Sequence, residues 1–192
     1  MPDLTMPRLH TPRMVCRAPV AADTGRLLEY RMRNRDHLEP WEPWHDASYY
    51  SREAVARSIA HAMAAARLEQ GYPFCIFSPD ETEIWGSFTF ANIVRGVFQA
   101  CHLGYGLAAD KQGQGLMHEA LEAGLEWAFA GLGLHRIMAN YMPANVRSGA
   151  LLQRLGFERE GYARDYLKIA GRWQDHVLTA RIAPSAGISV GV

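Results

Sequence analysis

A glycine-rich turn is the segment of this chain whose residue types and spacing suggest chemistry most directly. It is Gln112-Gly-Gln-Gly-Leu-Met117, which follows a strand-like run and opens a helix-like one. Backbone N–H groups at such a turn point at an anion, because the first helical amides lack partners and the helix dipole adds positive potential. The order favours a pyrophosphate ligand. A tight connection that needs glycine only for its dihedral angles is the alternative.

Two other phosphate-binding signatures are excluded at this turn. A Walker loop needs Gly-Lys-Ser/Thr after its glycines, and a dinucleotide-binding turn needs a third glycine and an acid on the next strand. Neither pattern is present around 112–117. The ligand class therefore has to be argued from the rest of the chain.

The elements around the turn predict a mixed α/β (α+β) protein. Apolar runs bounded by turn residues predict strands over 14–18, 74–78, 84–90, 98–108, 136–141, 157–167 and 175–182. Apolar periodicity and capping residues predict helices that begin at Asp23, at Arg52, after the glycine turn and at Asn145. His37–His45 holds two prolines and two tryptophans and is expected to be a structured loop. Gly104 and Gly106 inside a strand indicate a bulge or a close backbone approach to a ligand.

Composition limits the classes of function. The 192 residues are 48% apolar and 21% charged, so one globular domain over 1–183 is expected, with 184–192 as a frayed tail. Twenty basic residues balance twenty acidic ones, so no overall field attracts nucleic acid or an anionic membrane. Three cysteines in apolar runs indicate reduced core residues, and no apolar run is long enough for a membrane span. A cytoplasmic protein is expected.

The glycine turn resembles the acetyl-CoA pyrophosphate signature of the Gcn5-related N-acetyltransferase (GNAT) superfamily. That signature is Gln/Arg-x-x-Gly-x-Gly/Ala, and Gln112, Gly115 and Met117 occupy its positions here. Met117 departs from the final small residue. The resemblance implies a curved mixed sheet of about seven strands with flanking helices, in which two splayed central strands form the acetyl-CoA cleft.

A second GNAT element is similar to the segment that begins at Asn145. The superfamily pattern is Asn-x-x-Ala-x-x-x-Tyr-x-x-x-Gly-Phe, and this chain has Asn145, Ser148, Leu152 and Gly156-Phe157 in that order. The tyrosine that usually acts as general acid is replaced by Leu152. One branch of the superfamily instead uses the serine of an Asn-x-x-Ser arrangement as its proposed acid.

That branch is the RimJ/RimL type of ribosomal-protein alanine N-acetyltransferase, and the chain resembles it, RimJ most, from about Leu9 to Pro184. The segments that carry the resemblance are Leu38-Glu-Pro-Trp-Glu-Pro43, Asn92-Ile-Val-Arg-Gly96, Leu103-Gly-Tyr105, Gln112–Met117, His135–Pro143 and Asp175–Ala180. The resemblance implies an enzyme that transfers acetyl from acetyl-CoA to an N-terminal alanine by direct amine attack.

Cofactor and catalytic roles follow from the same resemblance. The pyrophosphate is expected on Gln112, Gly113, Gln114, Gly115, Leu116 and Met117, and the pantetheine arm on the backbone of Tyr105 and Leu107. Ser148, aided by Asn145 in binding and catalysis, is the candidate acid toward sulfur. Both residues are also common helix caps. Histidine spacing indicates no metal site.

The acceptor side is predicted from the aromatic loop. Glu42 is the candidate base, because aromatic neighbours desolvate a carboxyl and raise its pKa. A surface acid and a water relay remain alternatives. Tyr30, Trp41, Trp44 and Asn92 are candidates for walls of the acceptor pocket, and the tryptophans are equally good core residues.

The acceptor amine can be weighed by its charge state. An α-amine with a pKa near 8 is about a tenth neutral at pH 7, whereas a lysine near 10.4 is neutral about four times in ten thousand. An enzyme without an obvious strong base therefore suits N-terminal amines. The expected partner is a ribosomal protein N-terminus, with no sequence-specific nucleic-acid contact, for a monomer or homodimer. The rivals are a small-molecule acetyltransferase, acting on an antibiotic, polyamine or amino acid, and a ribosome assembly or regulatory factor.

Overall fold

One mixed sheet of eight strands organises residues 6–184, the part of the chain that the computed structural model describes. In chain order the strands are β1 (Leu9–His10), β2 (Val15–Arg17), β3 (Gly71–Phe77), β4 (Ile84–Val94), β5 (Ala100–Leu107), β6 (Arg136–Met138), β7 (Glu158–Ile169) and β8 (Arg172–Ile182). Their order across the sheet is β1-β2-β3-β4-β5-β6-β8-β7. The strand added to the expected seven is the two-residue β1, which is too short to leave a periodic pattern. The predicted tail lies outside the described residues except for Pro184.

Five helices accompany the sheet within residues 6–184. They are α1 (Thr24–Arg33), α2 (Arg35–Leu38), α3 (Arg52–Arg67), α4 (Leu116–Ala130) and α5 (Val146–Arg154). None of them is long and apolar enough to cross a membrane. The helices near the predicted positions confirm the mixed α/β class, because the strands and helices alternate along the chain as the apolar patterns require.

Two apolar clusters lie on the two faces of the sheet. Leu27 of α1 and Val55 of α3 pack with Phe77 on one face. On the other face, α4 packs against the aromatic residues of β3 and β4, and Leu151 and Leu152 of α5 belong to the same apolar cluster. A Cβ on Gly124 would lie 2.8 Å from the Phe88 ring, so α4 approaches the sheet closely there. Because helices cover both faces of the sheet, a ligand site is expected at the ends of the strands or where two strands separate.

The central strands β5 and β6 separate after three paired residues. They are the parallel pair of the sheet, with His102 opposite Met138 at the last pairing. The chain after β6 moves away, and Tyr141 forms a bridge to Val177 of β8. The remainder of β5 therefore pairs with β4 alone, which opens a cleft beside its glycines. This is the splayed pair that the family resemblance implied.

Asp23 holds the N-cap position of α1 as predicted, but its side chain makes no capping hydrogen bond to that helix. Its carboxylate is fully buried and accepts hydrogen bonds from Arg17 Nη1 at 2.7 Å and Nη2 at 3.0 Å, and from the Val20 amide at 2.8 Å. Arg26 adds a second ion pair at 2.6 Å. A buried carboxylate requires such charged partners, so the Asp23 side chain joins the start of α1 to β2.

The prediction of a loop over His37–His45 is only half right. Residues 37 and 38 end α2, and Glu39–Trp41 forms a 3₁₀ turn. Pro40 is tolerated because first-turn N–H groups have no intrahelical partner. The irregular part begins at Glu42. The terminal hairpin is confirmed, since Ala170 and Gly171 both have positive φ in a two-residue turn.

Candidate active site

The glycine turn forms an open, anion-compatible end of α4. Gly113 and Gly115 have φ of 74° and 75°, a region that favours glycine. Gly115 directly precedes α4, so the first-turn amides from Leu116 onward have no intrahelical partner. A Cβ on Gly113 would meet no atom within 4 Å, so that side of the turn faces open space. The turn fits a phosphate group on its backbone amides.

Two arginines flank this turn. Arg13 Nη1 donates to the Gln114 carbonyl oxygen at 2.8 Å, and its Nε pairs with Glu119 at 2.6 Å. On the other side Arg147 Nη1 donates to Gln112 Oε1 at 2.6 Å. Two guanidinium groups beside free amides suit a ligand with more than one negative charge. Sequence patterns missed both arginines, because Arg13 lies outside the two motifs and Arg147 occupies a position that the Asn-x-x-Ser pattern leaves open.

Gln112 joins three separate parts of the chain. Besides accepting from Arg147 at the start of α5, its Nε2 is 2.8 Å from His37 Nε2 on α2. Asn34 makes a parallel link, because its Oδ1 accepts from the Ala109 amide at 3.0 Å. The segment before α4 is thereby tied to the end of α1 and to α2. The anion site and the helices of the opposite face are held together.

The hydroxyls of Ser148 and Tyr105 meet beside the part of β5 that no longer pairs with β6. Their oxygens are 2.6 Å apart, and either can donate. Burial raises the pKa of Tyr105 to about 12, so its phenol is neutral near pH 7. Asn145 Oδ1 accepts from the Ser148 amide at 3.1 Å, which makes Asn145 the cap of α5. The Ser148 hydroxyl is thus not the cap of this helix.

Leu152 and Leu107 occupy different places from the two hydroxyls. Leu152 stands where the general GNAT pattern has a tyrosine, and its side chain is buried in the core. Leu107 ends β5 with its side chain also in that core, so only its backbone can face a ligand. Tyr105 was predicted for its backbone alone. Its side-chain contact with Ser148 was missed, because the two residues are 43 positions apart.

A pocket of about 250 Å³ lies on the other face of the same strands, between α1, α3 and the sheet. Its lining includes Tyr30, Arg31, Glu42, Tyr49, Ser87 and Thr89. Ser87 pairs with Gly106 and Thr89 with Gly104 across β4 and β5, and paired residues share a sheet face. A Cβ on Gly106 would be 3.7 Å from Tyr30 Oη. That distance is an ordinary contact, and a Cβ on Gly104 would meet no atom within 4 Å, so the packing of α1 requires neither glycine.

Glu42 lies on this pocket with a perturbed carboxyl. Burial raises its pKa, and the nearby Arg31 charge opposes that rise. His45 Nε2 is 3.9 Å from Glu42 Oε2, and the Glu42 carbonyl accepts from the Ala170 amide at 2.9 Å. The predicted direction of the pKa shift is confirmed. Its role as a base remains a prediction.

The structure does not bring the other acceptor candidates to this pocket. Trp41 and Trp44 are 39% and 63% exposed, so neither plugs the core and neither belongs to the pocket lining of the described residues. Asn92 is exposed at a bulge of β4 with φ of 54°. Tyr30 and Glu42 are the two candidates that meet there. Arg31, Tyr49, Ser87 and Thr89 join them without any signal in the sequence.

The cysteines are free and buried, as the sequence predicted. Cys101 and His102 are neighbours on β5, so their side chains point to opposite faces and cannot form a dyad. Burial raises the pKa of the Cys101 thiol to about 12. A cysteine nucleophile is therefore excluded at this position.

Comparison with known proteins decides the family. Residues 13–158 match the acetyltransferase (GNAT) domain family. The chain belongs to the GNAT acetyltransferase family. This membership confirms the resemblance, the fold and the acetyltransferase class expected from the sequence, while the role of each site residue stays a prediction.

Two curated relatives of this GNAT acetyltransferase match nearly full length. It is 48% identical over 177 residues to a [ribosomal protein uS5]-alanine N-acetyltransferase of Escherichia coli, covering 92% of this chain and 91% of that protein. It is 33% identical over 162 residues to the probable N-acetyltransferase YjcK of Bacillus subtilis, covering 84% and 90%.

Two solved structures share its GNAT fold closely. The ribosomal-protein-S5-alanine acetyltransferase of Vibrio fischeri has a TM-score of 0.88 and 34% identity, covering 93% of this chain and 98% of the other. RimJ of Mycobacterium smegmatis, in complex with CoA-disulfide, has a TM-score of 0.86 and 32% identity, covering 93% and 87%.

Proposed function

We propose that this acetyltransferase transfers the acetyl group of acetyl-CoA to the N-terminal alanine of a ribosomal protein. The observation that carries the proposal is the nearly full-length likeness to the E. coli uS5-alanine enzyme. The site supports it, because an anion-binding turn and a pocket with a perturbed carboxyl lie on either side of one opened strand. A ribosomal acceptor places the reaction in the cytoplasm.

Acetyl-CoA fits the turn that precedes α4. The amides and glycines of Gln112–Met117 hold the pyrophosphate, and Arg13 and Arg147 balance its charge. Asn145 supports this end of the site by fixing the first turn of α5. Acetyl-CoA supplies the thioester that the amine attacks. The M. smegmatis relative solved with CoA-disulfide supports this assignment.

The backbone of β5 provides the polar groups nearest the thioester. Beyond His102 this strand loses its partner on one side, so amides around Tyr105 and Leu107 face the cleft. Such amides pair with the pantetheine arm and polarise the acetyl carbonyl, where negative charge develops during the attack. The carbonyl is activated by fixed dipoles, so no covalent enzyme intermediate is needed.

The leaving thiolate takes a proton from Ser148. A serine hydroxyl alone is a weak acid, but Tyr105 lies in hydrogen-bond contact and is itself neutral. Donation from Tyr105 to Ser148 Oγ stabilises the charge that develops on that oxygen as its proton moves to sulfur. Tyr105 acts through Ser148 and is a positioning residue in this step.

Glu42 receives the proton of the acceptor amine, directly or through water. Its carboxyl lines the pocket together with Tyr30, and burial raises its pKa toward the working range. An N-terminal α-amine needs less help than a lysine, because more of it is neutral at pH 7. A moderate base such as Glu42 is sufficient for that amine.

Mass spectrometry of ribosomal proteins tests the proposed function in cells. Ribosomes from a strain that lacks this chain are expected to contain one protein whose N-terminal alanine has lost its acetyl group, and restoring the gene is expected to restore it. An unchanged set of N-terminal acetyl groups would overturn the proposal. Acetylated small molecules lost from the same strain would favour the small-molecule rival.

A further inference from the structure

We propose that Arg31 binds the main-chain carbonyl oxygen of the acceptor's first residue through Nη1 and so selects an aminoacyl end over other amines. This inference rests on the proposed function and names how its acceptor is recognised. It starts from the pocket on the α1 and α3 face, where Arg31 and Glu42 both contribute to the lining.

The guanidinium of Arg31 is held in place on two sides. Nη2 donates to Ser58 Oγ at 2.9 Å, and Ser58 Oγ donates to the Val55 carbonyl at 2.8 Å. The Arg31 Cζ lies 4.2 Å from the centre of the Tyr49 ring, and that ring stacks on His45 with centroids 3.7 Å apart. Because its plane is fixed by a hydrogen bond and by a ring, the group can bind a ligand at little further cost in side-chain entropy.

Nη1 of the same guanidinium is buried and has no hydrogen-bond partner among residues 6–184. Burial of an unsatisfied donor is unfavourable, and more so when the donor is charged. The Tyr30 hydroxyl, on the same pocket, is also buried without a partner in the described part of the chain. Two unsatisfied polar groups on one pocket point to an oxygen-bearing ligand.

Arg31 and Glu42 line the same pocket without contacting each other in an ion pair, and their opposite charges define which ligand fits. The Glu42 carboxylate accepts the amine proton, and the Arg31 guanidinium donates a hydrogen bond to a nearby oxygen of the ligand. In an N-terminal residue the α-amine and the carbonyl oxygen are three bonds apart. The first residue of the acceptor can therefore contact Glu42 with its amine and Arg31 with its carbonyl oxygen. A polyamine or a lysine side chain has no carbonyl beside its reacting amine. Arg31 thereby adds selectivity that the charge state of the amine does not supply.

A peptide pair tests the proposed contact. An Ala-initiated peptide is compared with the same peptide in which the first peptide bond is a thioamide, since sulfur accepts hydrogen bonds weakly. In the parent enzyme the thioamide should lower kcat/KM several-fold. Arg31→Met should lower kcat/KM for the normal peptide by roughly tenfold to a hundredfold, as for a lost hydrogen bond to a charged group. The thioamide penalty should then vanish, with the KM for acetyl-CoA unchanged.

Two further variants control for nonspecific effects of the substitution and for failure of Arg31→Met to fold. Arg33→Met, on the exposed side of α1, should behave like the parent on both peptides. Ser58→Ala keeps the guanidinium and removes its tether, so it should lower kcat/KM a few-fold and shrink the thioamide penalty. Should Arg31→Met fail to fold, Ser58→Ala carries the test, and an unchanged penalty in it would overturn the inference.

The outcomes separate this inference from the proposed function. If the parent acetylates the Ala peptide and the thioamide penalty is equal in the parent and in Arg31→Met, the role of Arg31 is wrong and the function stands. If free alanine is used as well as the peptide, and Arg31→Met harms it more, Arg31 binds a carboxylate and the carbonyl assignment is overturned. If the parent does not acetylate the Ala peptide, the proposed function fails, and the inference with it.

Discussion

The hydroxyl oxygens of Tyr105 on β5 and Ser148 on α5 lie 2.6 Å apart. This contact joins β5, which borders the cleft, to the first turn of α5. Because Asn145 already caps α5, the Ser148 hydroxyl is free for chemistry. The contact supports the proposed role of Ser148 as proton donor, because Tyr105 can stabilise the oxygen that loses the proton.

Ser148→Ala is expected to lower kcat about a hundredfold, in the range for loss of a general acid, with acetyl-CoA affinity little changed. Tyr105→Phe should lower kcat less, because Ser148 remains. Ser51→Ala is the stability control, because Ser51 Oγ caps α3 by accepting from the Ala54 amide, and loss of a cap costs about 1 kcal/mol. Steady-state rates and melting temperatures on the same preparations decide. Unchanged kcat together with a lower melting temperature in Ser148→Ala would contradict the catalytic role.

Gly115→Glu should abolish coenzyme A binding, because its side chain adds negative charge where phosphate must lie. A Cβ at Gly115 is already 3.5 Å from Arg13 Nη2, so the new carboxylate would also pair with that arginine. Gly133→Glu is the matched control, since Gly133 has a similar φ of 66° and its Cβ would meet nothing within 4 Å. Calorimetry should show binding by the control alone. Equal binding by both variants would place the pyrophosphate elsewhere.

Glu42→Gln should lower kcat/KM near pH 7 and recover partly at higher pH, where more of the α-amine is neutral without help. In the parent, activity should rise with pH as Glu42 ionises, and its raised pKa places that rise above the range of an exposed carboxyl. Glu39→Gln, three residues earlier and exposed, should leave the profile unchanged. A Glu42→Gln profile that matches the parent would point to a water relay independent of this carboxyl.

Asp23→Asn should destabilise the fold by about 3 kcal/mol, because it removes the buried one of the two carboxylates that pair with Arg17 and leaves only Glu81, at 2.6 Å. Burial alone would raise the pKa of Asp23, but the hydrogen bonds from Arg17 and Val20 together lower it below 3.8. The stability from this pair is therefore complete above pH 3.8 and is lost as pH falls through the lower, folded-state value.

Thermal unfolding of the parent and Asp23→Asn checks the sign of that effect. The variant should melt about 10 °C lower at pH 7. The difference in melting temperature should become smaller in strong acid, where protonation of Asp23 breaks the Asp23–Arg17 ion pair in the parent. Asp36→Asn, an exposed change, should show no difference at either pH. A difference in melting temperature that stays constant into strong acid would show that loss of the carboxylate charge does not cause the destabilisation.

Local patterns in the sequence predicted the turns and helix caps, which depend on interactions between neighbouring residues. The glycine turn before α4, the Asn145 cap and the two-residue turn at Ala170 and Gly171 each depend on a few adjacent residues. The same reasoning placed Asp23 correctly at the start of α1, but the capping hydrogen bond that is typical of a short acidic side chain there is absent. The burial of Asp23 beside Arg17 depends on how β2 packs, which no local pattern contains.

The contacts that complete the site depend on distant pairings. Arg13 reaches the Gln114 carbonyl across 101 positions, and Tyr105 reaches Ser148 across 43. Both contacts follow from the order of strands in the sheet and from the faces on which the helices pack. The unsatisfied Nη1 of Arg31 depends on the same packing. A single sequence therefore predicts the ligand class and the branch of the family better than it predicts the acceptor pocket.

An acetyl-transfer assay with defined acceptors tests the central claim most directly. The purified protein receives acetyl-CoA and either a peptide with a free N-terminal alanine, the same peptide blocked at its N-terminus with an internal lysine, or a panel of aminoglycosides and polyamines. Mass spectrometry locates the acetyl group. The account predicts acetylation of the α-amine of the alanine peptide, with little on the blocked peptide or the panel. Faster acetylation of the panel or of the lysine would contradict it.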